Sequence, residues 1–159
     1  MLRSRVLQRF VVGTHERAFR RILPALGEVR SVLVVGGGLF PRTAMVLRRV
    51  LPTASLTVVD ANASHLESAR RFLDDTIVLR HAFYSGAESA AADLVVVPLA
   101  YMGNRRRIYE RPPARVVLVH DWIWARHGQG VIVSIFLLKR LNLVVPASCE
   151  MPRSVLKSA

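Results

Sequence analysis

The chain has 159 residues, a net charge of +12, a hydrophobic fraction of 52% and a mean hydropathy of +0.30. This length and composition predict one folded domain and exclude intrinsic disorder. No apolar stretch approaches the roughly 20 residues that a membrane-spanning helix needs, and the single cysteine, Cys149, excludes an internal disulfide framework and indicates a reducing, cytoplasmic compartment.

Residues 1–27 carry helical patterns. Leu2, Val6 and Phe10 recur every four residues between arginines, which predicts a first amphipathic helix. Thr14 is placed to cap a second helical segment that ends near Pro24 and Gly27. We expect these helices to pack across a sheet or over the mouth of a ligand site, and the alternative is a basic helix on a membrane surface. The interrupted apolar pattern does not indicate a signal peptide.

The segment from Ser31 to Asp60 has the pattern of a βαβ unit. An apolar strand runs into Gly36, Gly37 and Gly38, and a helical run and a second apolar strand follow. Glycines allow a strand to turn sharply into a helix while a ligand approaches the backbone, and the helix N-terminus offers free N–H groups. Asp60, 22 residues after Gly38, is placed to bind a ribose diol. A purely architectural glycine turn is the alternative.

The glycine turn departs from the dinucleotide-binding fingerprint G-x-G-x-x-G/A. Counted from Gly36, the last position of that fingerprint falls on Pro41. Proline there removes an N–H group and suits the first turn of a helix instead. The turn therefore favours a ligand with ribose and adenine but no pyrophosphate.

The remaining chain alternates helical and strand patterns. Ser64 and Glu67 have the spacing of a capping box at the start of a helix. Strands are predicted over 76–79, 93–98 and 115–119, and two closing strands, or a helix and a strand, over 131–137 and 141–145. The apolar run 131–138 is interpreted as a buried strand. These alternating patterns predict an α/β fold with a doubly wound, mostly parallel sheet.

The carboxyl ends of the parallel strands mark the expected ligand edge. Beyond the glycine turn and Asp60, the residues expected there are His81, Tyr101, His120 and Asp121. His120 and Asp121 follow a predicted strand end, and an imidazole titrates near neutral pH, so they are the candidates for removing a proton from a substrate. The alternative is that His120 bonds a loop and Asp121 caps a turn. No cluster has the ligand spacing of a metal site.

The segments VLVVGGGLFPRTA and LTVVD resemble motifs I and II of class I S-adenosylmethionine-dependent methyltransferases, and GGGLFP is similar to the glycine turn of the nicotianamine synthase branch. The resemblance implies a Rossmann-like fold and S-adenosylmethionine as cofactor. It also implies that Gly36 and Gly38 line the methionine part of the cofactor and that Asp60 binds its ribose. The further candidates for cofactor binding are Gly37, Ala61, His81 and Leu99. Many members of the family have an acid near the end of the first strand, where this chain has Val34 and Val35.

The sequence therefore predicts a single domain over 1–159, with N-terminal helices over 1–27, a Rossmann-like core over 31–146 and a tail over 147–159. The predicted function is methyl transfer to a small molecule. Aminocarboxypropyl transfer, RNA methylation, a non-catalytic cofactor-binding or scaffold role and a homo-oligomer all stay open.

Nucleic acid binding stays open without being favoured. All but two of the 23 basic residues are arginine, a bias that the base composition of a coding genome also produces. The run Arg105, Arg106 and Arg107 points around a helix rather than onto one face, and is interpreted as a solvated helix.

Overall fold

The computed structural model describes residues 5–86, 89 and 91–146. Within these residues, the order of elements is α1 Arg5–Ile22, the 3₁₀ turn Leu23–Leu26, β1 Ser31–Val35, α2 Arg42–Val50, β2 Ser55–Asp60, α3 Ala63–Arg70, β3 Val78–His81, β4 Leu94–Val97, α4 Arg105–Glu110, β5 Val116–Trp122, β6 Gln129–Ser134 and β7 Lys139–Val144. The predicted tail over 147–159, like Leu2, lies outside the described residues.

The strands form one sheet in the order β3-β2-β1-β4-β5-β7-β6. Strands β1 to β5 are parallel, and β7 runs antiparallel to both β5 and β6. The central strands are buried on both faces, as in β4, where all four residues are buried. Continuous β-branched runs are typical of such strands, and the predicted doubly wound α/β fold is confirmed.

Alternate residues of each strand face opposite layers. On one face, Val34, Leu118 and Leu141 pack with α1, α2 and α3 in the larger core; this is called the α1 face. On the other, Val95 and Val119 pack with α4 and the loops around it; this is called the α4 face. Neighbouring residues of β5 therefore belong to different environments.

The N-terminal region is one continuous helix and not the two predicted segments. Thr14 does not act as a cap, because its hydroxyl donates a hydrogen bond to the carbonyl of Val11 within the preceding turn, at 2.9 Å. With Thr14 bonded inside the helix, nothing interrupts α1 before Ile22. Within the described residues, no helix is long and apolar enough to cross a membrane.

The C-terminal hairpin corrects two predictions. Strand β5 extends to Trp122 because its last residues pair with β7, so His120 and Asp121 lie inside the strand and do not follow it. The run 131–138 is not a buried strand, because it forms part of edge strand β6 and then a turn in which the side chain of Phe136 is 88% exposed. The alternative of two closing strands is confirmed.

The starts of β3 and α3 differ from the predicted positions because side chains cap the backbone there. The carboxylate of Asp74 accepts a hydrogen bond from the amide of Thr76 at 3.0 Å, which makes a turn where the third strand was predicted to begin. The N-cap of α3 is Asn62, whose side-chain oxygen accepts a hydrogen bond from the amide of Ser64 at 3.0 Å. The predicted capping box at Ser64 is therefore wrong.

The replacement Asn62→Ala is expected to lower the free energy of unfolding by about 1 kcal/mol, because it leaves an N–H group of the first turn of α3 without its side-chain acceptor. Ser64→Ala is the matched control, since it keeps the Asn62 cap, and it should cost less. Urea denaturation followed by circular dichroism measures both. A larger loss for Ser64→Ala than for Asn62→Ala would contradict the assignment of the cap.

Candidate functional site

A cavity of about 860 Å³ opens at the carboxyl ends of the parallel strands. Its volume lies in the range of roughly 300–1,000 Å³ that is usual for small-molecule sites. Its walls come from α1, the glycine turn, the ends of β2 and β4, and the neighbouring parts of β5 and β7. The polar or charged side chains that line it are those of His15, Arg42, Thr43, Asp60, His65, Tyr84, Tyr101, His120 and Lys139.

The glycine turn forms one wall of this cavity. Gly36 and Gly38 have φ angles of +82° and +58°, which residues with a Cβ rarely adopt. A Cβ on Gly37 would lie 3.3 Å from Cγ1 of Val58 in β2. The amide of Gly36 also donates a hydrogen bond to the carbonyl of Val59 at 2.6 Å. The three glycines therefore let the turn close onto the second strand.

Asp60 holds the same turn through its carboxylate. Oδ2 accepts hydrogen bonds from the amides of Gly37 at 2.8 Å and Gly38 at 3.1 Å, and Oδ1 accepts one from Asn62 at 2.8 Å. Burial raises the pKa of this carboxyl, but the three amide donors and the nearby His65 outweigh burial, so the pKa is lowered. The group is ionised at neutral pH, and three of its roughly four acceptor positions are used.

The other candidates for cofactor binding divide between the cavity and its surroundings. Ala61 and Leu99 line the cavity, as does Tyr101. His81 does not line it, because its exposed ring turns to the carbonyl of Ala61, with Nε2 3.0 Å from that oxygen. The position of His81 suits holding the loop after β2.

His120 lines the cavity from the α1 face of β5. Its side chain is 4% exposed, and its ring lies 5.5 Å from the ring of His15 and 6.1 Å from that of Phe19. Burial, followed by the charges around it, lowers its pKa well below the usual value, so the imidazole is neutral. Nε2 is buried without a hydrogen-bond partner among the described residues. Within that part of the chain, no three His, Cys, Asp or Glu side chains are grouped to hold a metal ion.

Asp121 points away from the cavity, to the α4 face, and is 7% exposed. Its carboxylate accepts hydrogen bonds from the hydroxyl of Tyr109 and, at 3.4 Å each, from Asn142 and Arg105. This side chain is engaged by its neighbours, so the geometry does not favour it as the proton acceptor in the cavity.

Arg105 is a structural residue, which corrects its interpretation as part of a solvated helix. Its guanidinium donates hydrogen bonds to the carbonyls of Pro98, of Leu99 at 2.7 Å and of His120 at 3.1 Å. It therefore joins the loop that follows β4 to the last part of β5. Its neighbour Arg106 fits the original interpretation, because it is exposed and pairs with Glu110 one turn along α4.

Sequence reasoning missed His15, Arg42 and Lys139 as cavity residues. Arg42 is the first residue of α2, four positions after Gly38, so its closeness to the turn is a local signal that could have identified it. His15 and Lys139 arrive from α1 and β7, which lie far away in sequence. No local pattern marks them.

Lowering the pH from 7 to 5 is expected to reduce the stability through His15. Burial lowers its pKa from 6.5 to about 4, so the unfolded chain binds a proton in a pH range where the folded chain does not. The free energy of unfolding should therefore fall by about 2 kcal/mol from this residue alone. Urea denaturation at both pH values measures this fall. In the His15→Gln variant, the decrease in the free energy of unfolding between pH 7 and pH 5 should be smaller by this amount. The exposed His127→Gln variant is the control and should retain the full decrease, and an unchanged pH dependence in His15→Gln would contradict the assignment.

The chain has the fold of class I S-adenosylmethionine-dependent methyltransferases. A solved structure of the nicotianamine synthase MtNAS in complex with MTA and tNA matches with a TM-score of 0.62 and 14% identity, over 79% of this chain and 56% of that one. The plantazolicin methyltransferase BpumL, in complex with a pentazolic desmethylPZN analog and SAH, matches with a TM-score of 0.53 and 18% identity, over 75% of this chain and 49% of that one. The chain thus spans about half the length of these structures. No protein-family model and no curated protein matches the sequence.

Proposed function

We propose that this protein binds S-adenosylmethionine and transfers its methyl group to a small molecule. The observation that carries the proposal is the glycine turn held by the Asp60 carboxylate at the wall of a cavity of about 860 Å³. Solved structures with this fold include a variant of MtNAS in complex with S-adenosylmethionine and BpumL in complex with SAH. They support the choice of cofactor among adenosine-containing ligands.

The residues of the cavity fit this cofactor. Gly36 and Gly38 leave the wall free of side chains, and the remaining acceptor position of Asp60 suits a ribose hydroxyl. Pro41 is the N-cap of α2 and has no N–H group to offer a pyrophosphate. Val34 and Val35 line the cavity where an acid is common in the family, so the amino group of the cofactor needs another partner.

When bound, S-adenosylmethionine supplies a methyl group activated by a sulfonium. The protein then has to align the acceptor atom and, where that atom carries a proton, remove it. The neutral imidazole of His120 is the candidate for taking this proton, because it lines the cavity and Nε2 has no other partner among the described residues. For Asp121 we propose a structural role, since its carboxylate is engaged on the opposite face.

Calorimetric titration with S-adenosylmethionine, S-adenosylhomocysteine and NAD tests the cofactor. Micromolar binding of the first two, with much weaker binding of NAD, is the expected result. Failure of all three to bind would make the glycine turn architectural and would overturn the proposal.

A screen of small-molecule acceptors with the bound cofactor tests the reaction. Methyl transfer releases S-adenosylhomocysteine, whereas aminocarboxypropyl transfer releases 5′-methylthioadenosine. Mass spectrometry of the nucleoside product separates the two. Release of methylthioadenosine would replace methyl transfer by the alternative reaction, and binding without turnover of any acceptor would favour a non-catalytic role.

A further inference from the structure

The end of the cavity next to β5 and β7 is basic. It is formed by Arg42, Lys139, His15 and His120, which we call the basic subsite, and all four line the cavity. His120 pairs with Leu141 across the two strands, and Lys139 lies two residues before Leu141. His120 and Lys139 therefore point to the same face as diagonal neighbours.

The two cations of the basic subsite lack a carboxylate partner. Neither Arg42 nor Lys139 has an ion pair among the described residues. The guanidinium of Arg42 lies 5.7 Å from the centre of the Phe40 ring, and its buried Nε has no hydrogen-bond partner in this part of the chain. Both cations are half-buried in the same cavity, and the charge of Arg42 adds to burial in lowering the pKa of Lys139. An anion beside them is therefore electrostatically favourable.

The carboxylate on the cavity wall does not supply that anion, because it forms no ion pair with Arg42 or Lys139. Among the described residues, Asp60 is the single acid that lines the cavity. It lies at the end of β2, which is three strands from β5, or about 14 Å at the usual spacing of strands. Its Oδ2 is also already bonded to the glycine turn, and its Oδ1 to the amide of Asn62. The basic subsite therefore depends on a ligand for its negative charge.

The buried imidazole of His120 points to the same conclusion. Its side chain is 4% exposed, and Nε2 has no partner among the described residues. A buried polar atom without a partner is unfavourable. A methyl acceptor whose protonated atom donates to this nitrogen and whose anionic oxygen lies beside the two cations would satisfy all three groups together.

We propose that the basic subsite binds an anionic oxygen group, a carboxylate or a phosphate, on the methyl acceptor. This assignment rests on the proposed function, which places the nucleoside of the cofactor at the glycine turn and leaves the β5–β7 end of the cavity for the acceptor. The guanidinium of Arg42 suits two oxygens of one group, and Lys139 adds a point charge, while Nε2 of His120 stays free to take the proton of the acceptor atom. The carboxylate of the cofactor is a second source of the same chemistry, and the experiment separates the two.

The test follows the imidazole signals of His15 and His120 by NMR in protein labelled at histidine and saturated with S-adenosylhomocysteine. Sodium acetate and sodium phosphate are added at constant ionic strength, with sodium chloride as the reference. A saturable shift with at least one of the two oxyanions is expected, and chloride should not produce it. The binding constant should weaken at least tenfold in Arg42→Gln and in Lys139→Met, while the exposed Arg106→Gln should match the wild type.

Each other outcome overturns a defined part of the proposal. Shifts that do not saturate, or that chloride reproduces, show that there is no anion site, and this measurement needs no variant to fold. Loss of oxyanion binding on addition of S-adenosylhomocysteine shows that the cations hold the carboxylate of the cofactor. If S-adenosylhomocysteine does not bind but the oxyanions do in its absence, the proposed function and the assignment to an acceptor fail while the anion site stands.

Discussion

Asp60→Asn is expected to weaken the binding of S-adenosylhomocysteine about 100-fold. In the wild type, Asp60 accepts hydrogen bonds from Gly37 and Gly38 through one oxygen and from Asn62 through the other. Asparagine has one acceptor oxygen, so its amide group must face an N–H group on one of these sides. The bond at stake for the ligand is the one from a ribose hydroxyl to the remaining acceptor position of the carboxylate. A hydrogen bond to a charged group contributes about 1.5–3 kcal/mol, and a factor of ten in affinity corresponds to about 1.4 kcal/mol.

Asp93→Asn is the matched control for that measurement. The carboxylate of Asp93 also accepts hydrogen bonds from two amides, those of Arg30 at 2.9 Å and Ser31 at 3.0 Å, but it lies at the opposite edge of the sheet. Both variants should therefore lose stability, and only Asp60→Asn should lose affinity in a calorimetric titration. Wild-type affinity in Asp60→Asn would show that the turn is not part of a ligand site.

The first βαβ unit was predictable because its signals are local. The glycine turn needs positive φ angles at Gly36 and Gly38, and the acid that ends the second strand bonds that turn directly. Each of these features lies within the one βαβ unit, in which a turn, a helix and a strand join Gly36 to Asp60. A local pattern is sufficient where the interacting residues are joined by regular elements of known length.

The far end of the cavity was not predictable in the same way. Whether β5 ends at Val119 or at Trp122 depends on pairing with β7, whose residues follow some twenty positions later. That pairing places His120 and Asp121 inside a strand, and since alternate residues face opposite sides, it separates them. The sequence likewise does not distinguish Arg105 from its two arginine neighbours, because its partners are carbonyls of the loop after β4 and of β5.

The structure changes the interpretation of Asp121 from a candidate proton acceptor to a residue that holds the fold together. Asp121→Ala is therefore expected to lower the free energy of unfolding by about 3 kcal/mol. The replacement removes the shared partner of Tyr109, Asn142 and Arg105. Breaking a buried charge pair leaves the remaining charge uncompensated and costs about 3–5 kcal/mol, and we take the lower figure because Arg105 keeps three carbonyl partners. Urea denaturation measures the change.

Glu110→Ala provides the control. Glu110 is exposed and pairs with Arg106 on α4, the helix that also carries Arg105. Exposed pairs contribute little, so this variant should stay within about 0.5 kcal/mol of the wild type. The affinity of folded Asp121→Ala for S-adenosylhomocysteine should also stay close to that of the wild type, since the side chain does not line the cavity. Wild-type stability combined with lost binding or turnover would instead place Asp121 in the reaction, and His120 would then no longer be the favoured proton acceptor.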